Sequence, residues 1–306
     1  MGRKLKSFGY DFNDSGELRS IKNNEPFVFT TQEQYEALGE AVTEEIYSLM
    51  ESRYSLNRIT LKEPECVSKE KKEKYSFFFT SENYQEAETL LVLVHGTGVV
   101  RAGQWSRRLI INENINRGTQ FPYIERALAN GWGVVVLNTN LTESKGIRLK
   151  NSSDPIEHAC NVWKWFISPC AAEKIFVVAH SRGGPDIYHT MAKLELQDEK
   201  VRAVCLTDSF GIDKFPTQDA NKKSRKNPLL VVNFQAHGSY DDRIYAVTGQ
   251  KGIKNVQNLY AGTQIHEESS ACAIEAIFHI FENEITRDSF EEVLHQAKKI
   301  VRQTNI

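Results

Sequence analysis

Apolar residues along this chain follow two rhythms. Between residues 31 and 56, Leu38, Val42, Ile46 and Leu49 recur at spacings of three and four, which places them on one face of a helix. From residue 75 onward, short continuous apolar runs alternate with stretches of helical period. The runs at 75–79, 90–94, 133–137, 174–179, 201–207, 229–234 and 256–260 predict strands. The stretches at 113–130, 155–168, 183–196 and 269–282 predict helices, and an amphipathic pattern over about 287–303 predicts a last one. Runs without polar alternation are buried on both faces. The pattern therefore predicts an α/β protein with a mostly parallel, doubly wound sheet and helices on both faces.

Ahead of this region, residues 1–30 are a polar lead-in with an extended piece at 17–21 and then Phe27-Val28-Phe29. Residues 62–74 are a charged connector. The expected organisation is an N-terminal extension, 1–74, packed on a core domain, 75–306. Residues 211–228, with Lys222-Lys223-Ser224-Arg225-Lys226, read as an excursion from the sheet: an exposed loop, or a nuclear-import or RNA contact.

Composition narrows the picture. With 306 residues, 40% of them hydrophobic, the chain can bury a sizeable core. A net charge of −2 argues against binding nucleic acid through a broad basic surface. Cys66, Cys160, Cys170, Cys205 and Cys272 are odd in number and widely spaced, as expected for reduced thiols of a cytosolic or nuclear protein. The N-terminus Met-Gly-Arg-Lys-Leu-Lys-Ser-Phe lacks the apolar core of a signal peptide, and no apolar run reaches the length of a membrane span. A soluble intracellular protein without membrane contact is expected. The His and Asp spacings match no metal-ligand pattern, so neither metal nor cofactor is expected.

The chemistry concentrates where strands end. Lys174-Ile175-Phe176-Val177-Val178-Ala179 runs into His180-Ser181-Arg182-Gly183-Gly184 and then a helical pattern. That is the context of a nucleophile elbow, in which a strained turn lifts the serine hydroxyl above the carboxyl end of a sheet. The flanking positions must be small because the backbone doubles back. Ala179 and Gly183 meet that need, with alanine replacing the first glycine of G-x-S-x-G. Upstream, Leu90–Val94 ends in His95-Gly96-Thr97-Gly98, the type of loop that supplies one amide of an oxyanion hole. Amides near Thr97 and at Arg182 are the expected pair. The Arg182 side chain either attracts an anionic substrate or faces solvent.

The general base of such a site follows the last strand, and His266 occupies that place after 256–260. His95 and His180 lie inside the other motifs and read as supporting residues. His158, His189, His279 and His295 sit on helical patterns as surface or core residues, and His237 is a minor alternative base. Two positions compete for the acid. Asp208 follows the strand at 201–207, and Asp241 and Asp242 follow the strand at 229–234. Hydrolases of this architecture usually use the later strand and sometimes the earlier. The losing carboxylate would cap a turn.

A longer resemblance emerges around these motifs. The block from His95-Gly96-Thr97-Gly98 through Gln104-Trp105-Ser106-Arg107-Arg108 to Asn112 resembles the Argonaute-binding-protein (Arb-type) domain family, which includes animal cotranscriptional regulators. The resemblance extends to Phe8-Gly9-Tyr10-Asp11-Phe12-Asn13, Glu25-Pro26-Phe27, Glu157-His158-Ala159, Leu206-Thr207-Asp208-Ser209 and Ala261-Gly262-Thr263, covering about 8–280. It implies an α/β-hydrolase-like fold with Ser181 at the nucleophile-like serine and His266 at the late histidine. It also implies roles in small-RNA-directed silencing, heterochromatin and alternative splicing. Argonaute and chromatin or splicing proteins would be partners, RNA would be engaged only indirectly, and location would be nuclear with some cytoplasmic presence. Arg182 departs from the tyrosine of animal members, and 138–154 lacks their long charged insertion.

Two functions follow. One is a regulator built on a serine-hydrolase-like domain. The other is an active serine hydrolase that cleaves an ester, thioester or amide of a small acyl substrate, using Ser181, His266 and Asp208 or Asp242.

Overall fold

The computed structural model describes residues 4–64, 73–195, 200–211, 229–237, 256–283 and 289–304. Its centre is an eight-stranded sheet: β1 (Asn57–Thr60), β2 (Phe77–Thr80), β3 (Thr89–Val94), β4 (Gly133–Val136), β5 (Lys174–His180), β6 (Val201–Thr207), β7 (Leu230–Gln235) and β8 (Val256–Tyr260). The order across the sheet is β1-β2-β4-β3-β5-β6-β7-β8. All neighbours from β4 to β8 are parallel, and β2 alone runs against both of its neighbours. This strand order, with a single antiparallel strand near one edge, is the arrangement of an α/β-hydrolase sheet.

Among the described residues, the helices that cover the sheet are α1 (Gln32–Arg53), α2 (Arg107–Asn112), α3 (Phe121–Ala129), α4 (Pro155–Val162), α5 (Gly183–Lys193), α6 (Ser269–Glu282) and α7 (Phe290–Thr304). Successive side chains of each strand point to opposite faces. Leu91 and Leu93 of β3 join one core with α1, α2, α3, α6 and α7, whereas Leu90, Val92 and Val94 join the other with α4 and α5. Both faces of the central strands are therefore dry, which is why their sequences are continuously apolar.

The N-terminal segment is part of this architecture. Leu38, Val42, Ile46 and Met50 of α1 lie in the same core as β3, while Leu49 is only partly buried. Residues 57–60 supply the edge strand of the sheet, which the hydrophobic pattern did not reveal. Only Ile59 of the four is even half buried, so the strand has no apolar run to betray it. Leu18–Ser20 pairs with Tyr10–Phe12 in a separate hairpin. Val28 and Phe29 are exposed outside any strand.

Two predicted helices are subdivided. The 113–130 stretch resolves into a turn at Ile115–Gly118 and then α3, which carries a proline in its first turn. The short α2 precedes it, capped by Ser106, whose side chain accepts the Leu109 N–H. The 155–168 stretch begins as α4 and continues as a π-turn at Trp163–Ile167. The Lys222–Lys226 run and Cys66 lie outside the described residues.

Candidate active site

Parallel register sets the geometry of the site. Val94 pairs with Ala179, Thr207 with His180, and Thr207 with Phe234, so these strands end level with one another. The loops that carry His95, Ser181, Asp208 and His266 consequently emerge along one carboxyl edge.

Ser181 follows β5 with φ of 50°, the left-handed region that a serine adopts only under constraint. The constraint is visible in its hydrogen bonds. Ser181 N–H donates to Thr207 O at 2.9 Å, while Ser181 O receives the Ser209 hydroxyl at 2.8 Å and the Gly184 amide at 3.1 Å. Gly183 must be glycine for a different reason: a Cβ there would stand 2.7 Å from His95 O and 2.9 Å from Val94 O. The elbow and the His95–Gly98 loop thus pack backbone to backbone. A Cβ built on Gly96 would lie 3.1 Å from the Ser181 Cβ, which puts this loop directly against the serine.

Among the described residues, the amides of Thr97 and Arg182 have no hydrogen-bond acceptor in the protein. The Arg182 side chain does not reach toward the site. Its Nε lies 3.1 Å from Asp186 Oδ1, one turn along α5, and burial pushes the Asp186 carboxyl up to about 6 despite that partner.

Asp208 and His266 meet across the edge. His266 Nδ1 lies 2.6 Å from Asp208 Oδ2, and Asp208 Oδ1 receives the Ala236 amide at 3.0 Å. Asp208 also has a left-handed φ, 46°, which turns its carboxylate out of the strand line while its amide donates to Phe234 O at 2.7 Å. The hydrogen bond from Asp208 raises the His266 imidazole above its ordinary pKa, with partial burial opposing. Asn233 braces the neighbouring residue, accepting from Ser209 N–H and donating to Ser209 O. Asp241 and Asp242 lie outside the described residues.

His266 stands on a short turn, His266–Glu268, that opens α6. Ser269 Oγ donates to its carbonyl at 2.8 Å, and the ring of His180 packs against the ring of His266 at 4.7 Å between centroids. His180 is itself buried and bonds Thr207 Oγ1 at 3.1 Å; burial holds its pKa down at about 3. It is therefore a neutral ring behind the exposed imidazole of His266. Motif reading marked His180 as a supporting residue, but only the three-dimensional contact shows what it supports. His158 is a core residue, with Ser152 Oγ on one ring nitrogen at 2.9 Å and the Asn138 amide donating to the other at 3.1 Å.

Ser181 and His266 line two adjoining cavities. One, about 550 Å³, also includes Asp208, Asn233, Gln235 and Asn258; the other, about 280 Å³, includes Thr97, Trp105 and Arg107. Among the described residues no hydrogen bond joins Ser181 to His266, although both face this shared space. Among those residues no group of three His, Cys, Asp or Glu side chains could hold a metal ion, and no helix is long and apolar enough to cross a membrane.

Comparison with known proteins connects this arrangement to a family. The Arb2 domain model matches residues 1–143, a span that contains the His95–Gly98 loop and Arg107 and ends before Ser181. The chain is 52% identical over 297 residues to a FAM172 family protein homolog of Caenorhabditis elegans, covering 97% of this chain and 92% of that protein. It is 37% identical over 339 residues to the human cotranscriptional regulator ARB2A, covering 90% of this chain and 79% of that protein. The chicken homolog of ARB2A is 34% identical over 339 residues, with the same coverage.

Proposed function

The chain belongs to the family of FAM172 proteins and ARB2A cotranscriptional regulators, and from that premise we propose that it is a regulator of cotranscriptional processes whose hydrolase-like centre is a working serine hydrolase. The observation that carries the chemical half is the 2.6 Å contact between His266 Nδ1 and Asp208, at the same sheet edge as the strained Ser181 turn. A scaffold that retained this fold for packing alone would have no need of an exposed imidazole held by a buried-edge carboxylate.

In this reading Ser181 Oγ attacks the carbonyl carbon of an ester, thioester or amide, and His266 Nε2 takes the hydroxyl proton. Asp208 holds the imidazole in the tautomer that leaves Nε2 free to accept. The carbonyl oxygen becomes an oxyanion that receives the amides of Thr97 and Arg182. His266 returns the proton to the leaving alcohol, thiol or amine. A water then repeats the attack on the acyl-serine, giving the free acid and the original hydroxyl.

The regulatory half rests on the relatives' names and on the family resemblance. Argonaute and chromatin or splicing proteins are the proposed partners, the nucleus the proposed main location with some cytoplasmic presence, and RNA an indirect partner.

Turnover of a short-chain 4-nitrophenyl ester by the purified full-length chain tests the chemical half. Hydrolysis that disappears in Ser181→Ala and His266→Ala supports it, and hydrolysis unchanged in Ser181→Ala contradicts it. Immunoprecipitation from nuclear extract tests the regulatory half. Argonaute should co-purify with both the wild-type chain and Ser181→Ala; its absence from both contradicts the proposed partnership.

A further inference from the structure

Arg107 lies at the wall between the 280 Å³ cavity beside Ser181 and a larger one of about 660 Å³ under α1. It is 9% exposed, yet among the described residues its side chain makes a single hydrogen bond, Nη2 to Val99 O at 3.2 Å. Its Nε is buried without an acceptor. No carboxylate among the described residues comes within ion-pair distance. Burial is the largest effect and disfavours its charge; Tyr35 favours it, Arg101 opposes it, and Glu40 and Glu36 favour it from beyond ion-pair distance. Arg108, its neighbour, is different: it is exposed and pairs with Glu267 at 3.4 Å.

Burying a cation without a carboxylate is costly, so such groups recur where a ligand completes them. Here the surrounding chain is shaped to hold it. Gly39 sits in the interior of α1, where glycine is a poorer helix former than alanine. A Cβ at that position would stand 2.6 Å from Arg107 Nη1 and 2.7 Å from Cζ, so the glycine is what lets the guanidinium come this close to the helix. Trp105, whose indole Nε1 is a second buried donor without an acceptor, is also among the residues that line the small cavity.

We propose that Arg107 receives the anionic end, a carboxylate or a phosphate group, of a small acyl ligand whose carbonyl lies at Ser181. The carbonyl end of this assignment rests on the hydrolase reading above; the anion site does not require Ser181 to react. A cavity of 280 Å³ is at the lower limit of small-molecule sites, which fits a short ligand with one charged end. The Arg182 side chain, already turned to Asp186, does not compete for it.

Two measurements separate the parts. The first is calorimetric titration of full-length Ser181→Ala with glutarate and, separately, with inorganic phosphate. At least one should bind, and adding Arg107→Gln should weaken it about tenfold or more, the loss of a charge-assisted hydrogen bond. Arg107→Lys should restore part of the affinity and, with an unchanged melt, shows that the fold survives. Which titrant saturates identifies carboxylate or phosphate. The second is turnover by the wild-type chain of mono-4-nitrophenyl glutarate against 4-nitrophenyl butyrate. The anionic ester should be preferred about tenfold or more in kcat/KM, and Arg107→Gln should erase that preference by lowering kcat/KM for the anionic ester far more than for the neutral one. Failure of both anions to bind, or binding indifferent to Arg107, overturns the anion site. Arg107-dependent binding with no turnover of either ester leaves the anion site standing and removes the nucleophile.

Discussion

His266 and Asp208, separated by 58 positions in the chain, meet at 2.6 Å because β6 ends level with its neighbours and the turn after β8 folds back across them. A carboxylate in that position holds the imidazole by Nδ1 and leaves Nε2 toward the cavity shared with Ser181. Asp208→Asn would keep the shape and lose the tautomer control. Ester turnover should fall about 10³- to 10⁴-fold in that variant, whereas Asp242→Asn should stay within about tenfold of wild type. Steady-state kinetics on both variants decides between the two acids, and equal losses would contradict the assignment.

The same contact predicts a pH profile. Asp208 raises the His266 pKa, so near neutrality the ring carries a proton more often, and serves as a base less often, than a free imidazole does. Turnover should rise with pH along a limb whose midpoint lies above 6.5, and Asp208→Asn should move the midpoint down toward the ordinary imidazole value. For stability the sign is opposite. The pair contributes fully below the unfolded imidazole pKa and is lost as pH rises through the raised folded value. A midpoint that does not move in Asp208→Asn would show that another group sets the limb.

Acid should destabilise the fold through other histidines. Burial lowers the pKa of His95 to about 4 and those of His158 and His180 to about 3. In the unfolded chain all three take up protons as pH falls through 6.5; in the folded chain they do so only at 3–4. Their contribution to stability is present above pH 6.5 and is lost progressively down to about 4. Asp186, raised to about 6 by burial, and Glu45, raised by burial, oppose this, while His279, lowered by burial, adds to it. Urea midpoints should fall between pH 6.5 and 4, and less steeply in His158→Gln, which keeps an amide for the Ser152 and Asn138 contacts.

Gly183→Ala should damage fold and site together. The added Cβ meets two backbone oxygens, His95 O and Val94 O, neither of which can swing away as a side chain would. Either α5 or the His95–Gly98 loop must move, at a cost of about 1–3 kcal/mol. Chemical denaturation should show that loss, with turnover lowered beyond what the remaining folded fraction explains. Wild-type stability in this variant would mean that the elbow packs more loosely than the backbone contacts indicate.

How much of this was legible in the sequence follows from range. The elbow is a local event: a buried strand, a serine and small flanking residues occupy consecutive positions, so Ala179 to Gly184 could be read directly. His266 could be placed because the last strand before it was visible. The choice between Asp208 and Asp242 depends on how strand ends align and on which carboxylate the imidazole reaches, and periodicity carries neither. β1 escaped because an edge strand with three exposed residues of four has no apolar pattern. Arg107 escaped for a related reason. Its neighbour Arg108 is the same residue type, and only the close approach to Gly39, some seventy positions away, distinguishes a buried guanidinium from a surface one. The Arg182 side chain, weighed as an attractor of anions or a solvent group, pairs with Asp186 along its own helix and stays 43% exposed.

The central claim is that Ser181 is an activated nucleophile, and reaction of the folded full-length chain with a fluorophosphonate probe, read by intact mass and peptide mapping, tests it most directly. The account predicts one adduct, on Ser181, absent from Ser181→Ala and strongly slowed in His266→Ala and Asp208→Asn. A folded wild-type chain that acquires no adduct, or acquires one equally in Ser181→Ala, would contradict it.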